Sequence, residues 1–128
     1  MKMITSHSPV PPLYLAMLAV HVAHVFEEIW AEFRVVEILG LGGFLIANWV
    51  LWCIPAAIFI FMLRGHQWAY QFGMAYAAIM VANGIGHNVM TLLTGEYFGG
   101  FAGGFTGIGL IVVGIILIVA LHREKPIA

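Results

Sequence analysis

Residues 13–30 read LYLAMLAVHVAHVFEEIW, and this stretch decides the fold. A helix that crosses about 30 Å of hydrocarbon takes about 20 mostly apolar residues, and this run supplies them. It follows a breaker, Ser8-Pro9-Val10-Pro11-Pro12, and no small-x-small cleavage site comes after it. It therefore reads as a retained helix and not as a cleaved leader. Three further stretches share its character. Residues 44–63 are approached through Gly40-Leu41-Gly42-Gly43, and residues 68–93 follow the break Arg64-Gly65-His66-Gln67. Residues 101–121 end at His122-Arg123-Glu124-Lys125-Pro126. Short connections make neighbouring helices antiparallel. The expectation is an all-α polytopic membrane protein, with residues 1–128 forming one antiparallel four-transmembrane-helix bundle.

The rest of the chain agrees with that reading. Of 128 residues, 62% are apolar and only 9% are charged. A soluble domain carries about 25% charged residues, so this chain cannot coat a globule with solvated side chains. A soluble enzyme and a disordered chain are both disfavoured. The basic residues Lys2, Arg34, Arg64, Arg123 and Lys125 are scattered and form no patch for phosphates, which disfavours a nucleic-acid binder. The formal net charge of -1 says nothing about partners. Cys53 is the sole cysteine, so no intrachain disulfide forms, and it reads as a small packing residue.

Lys and Arg near the helix ends set the orientation. Lys2, Arg64, Arg123 and Lys125 fall on one side of four spans, and only Arg34 falls on the other. The first side is expected to be cytoplasmic, with both termini there, in a bacterial inner membrane. Glu32, Glu37 and Glu96 sit on the opposite side, and Trp30, Trp68 and Tyr97 lie near the interfaces. Pro55 removes one backbone donor from the second span and is expected to kink it. Before and within the fourth span, Gly99, Gly103 and Gly107 recur every four residues, as do Gly100 and Gly104. Such a stripe lets helices approach closely, either inside one chain or in a homo-oligomer.

Against this apolar background the ionisable residues within spans need a reason. At 100° per residue, His21, His24 and Glu28 fall within about 60° of helix surface, and Glu32 continues the stripe. Glu27 lies about 60° to the other side of His24, so His24 has a carboxylate at both i+3 and i+4. On the third span Asn83 and His87 share a face with Tyr76, Met80 and Thr91. The second span adds Asn48. At a rise of about 1.5 Å per residue, Glu28, Asn48 and His87 reach one level in the outer third of the bilayer, with His24 about one turn deeper. Two imidazoles and a carboxylate suit a divalent metal, with zinc or iron the expected ions. The expected ligands are His24, Glu28 and His87. Glu27 and Glu28 are the candidate catalytic acid/base residues, with Glu27 alternatively a group that supports the ligands, and His21, Asn48 and Asn83 are the further candidate supporting groups.

His24-Val25-Phe26-Glu27-Glu28 has the form His-x-x-Glu-Glu and resembles the signature of the HXXEE family, small bacterial integral membrane proteins without an established activity. That family pairs the motif with later histidines, one of which His87 matches, and with a Tyr-x-Pro-Gly-like segment before the last helix. Tyr97-Phe98-Gly99-Gly100 is similar to that segment but lacks its proline. The resemblance implies a metal-binding or enzymatic site in the membrane and names no substrate.

The expected function is a metal-dependent membrane enzyme that acts on a lipid or other apolar substrate from the outer leaflet. Three alternatives differ in class. One is a haem protein with His24 and His87 as axial ligands. Another is a proton or metal carrier along His21, His24, Glu28 and Glu32. The last is an accessory subunit docked on a larger membrane complex through its glycine-rich helix. The orientation has a direct check. Green fluorescent protein fused after residue 128 is expected to fluoresce in a bacterial host, whereas alkaline phosphatase fused there stays inactive; the opposite pair reverses the topology.

Overall fold

The computed structural model describes residues 8–31, 34–95 and 104–124, and all secondary structure among them is helical. The helices are α1 (Val10–Trp30), α2 (Arg34–Leu63), α3 (Gln67–Thr94) and α4 (Gly104–Glu124). Residues Glu32, Glu96, Tyr97, Gly99, Gly100 and Gly103, singled out above, lie outside the described residues.

The helices begin and end where local chemistry allows. α1 starts at Val10 and not at residue 13, because prolines in a first turn lose only an N–H that has no helical partner. α2 starts at Arg34 and not at residue 44. The glycines expected to precede the helix instead provide a joint within it. Gly40 has φ 67 and ψ 157, outside helical values, and it separates a short N-terminal stub from the long remainder. No Cβ is tolerated cheaply at such a φ. Pro55 lies within that remainder without interrupting it. α4 runs on to Glu124, past the residue 121 expected, and carries His122 and Arg123 in its last turn, where cations favour the helix dipole.

The turn from α2 to α3 is short and fully bonded. Gly65, at φ 80, donates its N–H to Met62 O, and His66 donates to Phe61 O. This pair of bonds is the Schellman arrangement, and the His66 ring packs edge-on against Phe61 as its usual side-chain contact. α3 ends on Gly95 at φ 73, whose N–H bonds Thr91 O.

Named contacts fix the direction of each helix. Tyr14 donates to Pro55 O at 3.1 Å, and Trp52 Nε1 donates to Leu18 O at 3.2 Å, so α2 runs antiparallel to α1. Ser8 bonds Glu124 while His24 meets Thr106, so α4 is antiparallel to α1 as well. His21 meets Tyr76 and Glu28 meets His87, so α3 runs parallel to α1. The core between them holds Tyr14, Met17, Met62, Leu110, Leu117 and Leu121, with Tyr14 stacked on Phe59 at 4.9 Å.

α3 and α4 make the closest approach. A Cβ built at Gly84 would stand 2.3 Å from Gly107 O, and one at Gly114 would stand 3.2 Å from Ala77 O. Gly107 and Gly114 therefore pack within the chain, in the manner of small-residue helix interfaces. Facing outward are Ile46, Trp49, Leu51, Ile79, Phe105 and Ile115, an apolar surface that soluble monomers rarely show. Three helices, α1, α2 and α4, are long and apolar enough to cross a membrane. α3 is longer than α1, but Asn83, His87, Asn88 and Thr91 dilute its apolar content.

The α3–α4 contact predicts a contrast between two glycines of one helix. Gly84→Ala is expected to cost about 1–3 kcal/mol, the usual penalty for overpacking. Gly86→Ala has no atom within 4 Å of its new methyl and should be neutral or stabilising by up to about 1 kcal/mol. Unfolding of the detergent-purified protein by sodium dodecyl sulfate compares them. Equal midpoints would contradict the close approach.

Candidate metal centre

The sequence stripe on α1 resolves into groups with different partners. His24 and Glu28, one turn apart, both turn into the bundle, and His87 comes to them from α3. Glu28 Oε1 lies 3.5 Å from His24 Nε2 and 3.2 Å from His87 Nε2. The two imidazoles stand almost perpendicular, at 87°, with centroids 4.9 Å apart. Exposure is 1% for His24 and 6% for both Glu28 and His87, so all three are out of reach of bulk water. One donor atom from each lies within 4.8 Å of the others. These are the three residues expected as ligands.

The spacing fits a metal. Zinc bonds of about 2.0–2.1 Å to nitrogen and oxygen, at tetrahedral angles, put ligand atoms roughly 3.3 Å apart. The two separations from Glu28 bracket that value. A haem does not fit here: the imidazole rings are in contact with each other, leaving no slot for a macrocycle between them.

Thr106 contributes a detail that the sequence did not disclose. Its hydroxyl lies 2.9 Å from His24 Nδ1 and also bonds Glu27 Oε2. The Glu27 carboxylate further accepts the backbone N–H groups of Thr106 at 3.0 Å and Phe105 at 3.3 Å. An anion over these orphan amides at the start of α4 is favoured by the helix dipole. Glu27, expected as an acid/base or supporting residue, thus holds the start of α4 and reaches His24 through the Thr106 hydroxyl. A carboxylate can only accept, so the Thr106 hydroxyl proton goes to Glu27. The hydroxyl oxygen is then left to accept from His24, which places the imidazole proton on Nδ1. His24 Nε2 keeps its lone pair, and this buried atom has no hydrogen-bond partner among the described residues. It faces a carboxylate oxygen at 3.5 Å, an arrangement that a proton or a metal cation between them would satisfy.

The expected supporting residues sit elsewhere. His21 Nδ1 pairs with Tyr76 Oη at 3.1 Å, one turn below the ligand group. Asn48 returns its amide to Phe44 O on its own helix. Asn83 is half-buried on α3. The sequence signal for Thr106 was slight: a single hydroxyl in the first turn of an otherwise glycine-rich and apolar helix.

No protein-family model, no curated protein and no solved structure matches this chain. The reading of the site rests on its geometry.

The Glu27 contacts predict a local effect. Glu27→Ala should speed amide hydrogen exchange at Phe105 and Thr106 by about 2- to 30-fold, equivalent to a lost cap of roughly 0.5–2 kcal/mol. Amides in the middle of α4 should be unchanged. Equal exchange at Phe105 and Thr106 would remove the capping role.

Proposed function

We propose that this chain is a four-span membrane protein whose buried His24, Glu28 and His87 bind one divalent metal ion, and that the site serves a metal-dependent enzyme acting on a lipid or other apolar substrate. The observation that carries the reading is the environment of His24 Nε2. The atom is buried, has no hydrogen-bond partner among the described residues and faces the Glu28 carboxylate at 3.5 Å, with a second imidazole on the same oxygen. Three protein ligands leave one coordination position for water or substrate, the pattern of catalytic rather than structural zinc sites. Such an ion supplies Lewis-acid polarisation and acidifies a coordinated water. Zinc and iron both suit this donor set.

The competing occupant is a proton, which would make His24 an imidazolium paired with Glu28. In that case His87 would only donate a hydrogen bond to Glu28, whereas a metal uses all three groups as ligands.

Several features support membrane insertion. α1, α2 and α4 have the required length and apolar content, and the outward apolar belt matches a lipid solvent. In α3 the polar side chains His87 and Tyr76 face the bundle, so the helix can cross with its polar groups covered. Arg64 and Arg123 share the end of the bundle where Ser8 meets Glu124, and the positive-inside rule makes that end cytoplasmic. The ligand group then lies in the outer half. A cleft of about 150 Å³ between α1 and α2 is lined by His21, Val25, Asn48, Trp49 and Trp52. Its apolar walls suit a short hydrocarbon segment and not a polar solute. The same His24, Glu27, Glu28 and His87 carry the resemblance to the HXXEE proteins, and grouping the chain with them is part of the proposal.

Metal content decides the central claim. Detergent-purified wild type should hold about one zinc or iron per chain. His24→Ala, Glu28→Gln and His87→Ala should each hold little, while His21→Ala should match wild type because its imidazole pairs with Tyr76. Wild type without stoichiometric metal, or His24→Ala with the wild-type amount, would overturn the metal site.

A further inference from the structure

Each ligating imidazole in a metal site has a second nitrogen, and what that nitrogen bonds decides which tautomer presents its lone pair to the ion. Among the described residues the second nitrogen of His24 meets neither a carboxylate nor a backbone carbonyl. It meets the hydroxyl of Thr106, from the first turn of α4, which in turn bonds the Glu27 carboxylate. Glu27 belongs to α1, one turn from His24, so the chain of bonds leaves α1, passes through α4 and returns to α1.

We infer that Thr106 is a positioning residue for the metal centre, relaying the charge of Glu27 to His24 so that the imidazole proton stays on Nδ1 and the Nε2 lone pair is held toward Glu28 and His87. This rests on the metal reading above and extends it to a residue outside the ligand set. The direction of each bond follows from what the groups can do. Glu27 accepts the N–H groups of Phe105 and Thr106, an arrangement in which a helix N-terminus favours a carboxylate. An anionic oxygen beside the Thr106 hydroxyl takes the hydroxyl proton, and the hydroxyl oxygen can then only accept from His24. The reverse order would set a hydroxyl lone pair against a carboxylate. Thr106 also donates its own backbone N–H to Glu27, so a single residue both docks α4 and orients the imidazole.

Three substitutions separate this role from simple packing. Thr106→Val keeps the shape and removes the hydroxyl, Thr106→Ser keeps the hydroxyl, and Glu27→Gln removes the charge. The full chain, purified in detergent and freed of metal, is labelled with ¹⁵N-histidine, and the His24 signals are assigned by their loss in His24→Gln. Wild type and Thr106→Ser should show His24 with its proton on Nδ1. Thr106→Val should move that proton to Nε2, where it can bond Glu28, and should weaken zinc binding by about 10- to 100-fold, the usual effect of losing such a partner. Glu27→Gln should shift the tautomer in the same direction. A wild-type proton on Nε2 overturns the inference even if Thr106→Val does not fold, and so does a folded Thr106→Val with unchanged tautomer and zinc affinity. Wild type that binds no zinc yet keeps the Nδ1 proton, with Thr106→Val losing it, fails the metal reading while upholding the relay.

Discussion

A carboxylate buried in an apolar bundle is the constraint on which the remaining structure depends. Taking an ionised carboxylate out of water costs several kcal/mol even after relaxation, and partial compensation must come from its neighbours. Arg34, Arg64 and Arg123 all stand exposed at helix ends and cannot help Glu28. What surrounds it are the imidazoles of His24 and His87, from two helices that run in the same direction. For both to reach one oxygen, α1 and α3 must match in depth and rotation to within a side chain. Tyr76 and His21 repeat that match one turn deeper, and the stacked Tyr14 and Phe59 continue the packing toward the other end.

α4 reaches the same centre by a different route. It has almost no polar side chain to offer, and it earns its place by closeness. Gly107 sits against Gly84, Gly114 against Ala77, and Gly109 against Val20, so backbone meets backbone or methyl where larger residues would hold the helices apart. That closeness brings the first turn of α4 within hydrogen-bond reach of Glu27 and His24. The glycine packing and the Thr106 bonds therefore constrain one another. A shift of α4 away from α3 would loosen the cap and change what His24 sees.

Much of this was legible in the chain. Helical rotation put His24 and Glu28 on one stripe, and a depth estimate brought His87 level with Glu28, one turn from His24, because both follow from the fixed rise and turn of a helix. What escaped depends on distances between helices. Asn48 shared that depth but spends its amide on Phe44 O, since an amide next to its own helix carbonyls finds a partner without crossing the bundle. Glu27 shared the motif but lies on the flank of α1 that faces α4, and nothing local says which helix will arrive there. Thr106 carried no charge and stood in a glycine-rich run, so its part emerges only once two chain segments far apart in sequence are in contact. Gly40 looked like a boundary, whereas the chain is helical on both sides of it.

The tight turn at Gly65 bears on how the four-span arrangement proposed above would enter a bilayer. α3, with Asn83, His87, Asn88 and Thr91, is the helix that falls short of the apolar content of its neighbours, while α2 is strongly apolar and carries few polar groups. A connection of three residues, Arg64 to His66, with its backbone bonds already satisfied, leaves the two helices no independent paths. In the four-span arrangement they must partition as one hairpin, and the surplus apolar surface of α2 offsets the shortfall of α3. His87, the one member of the candidate ligand group on α3, would thus be carried in by a partner helix that contributes no ligand itself.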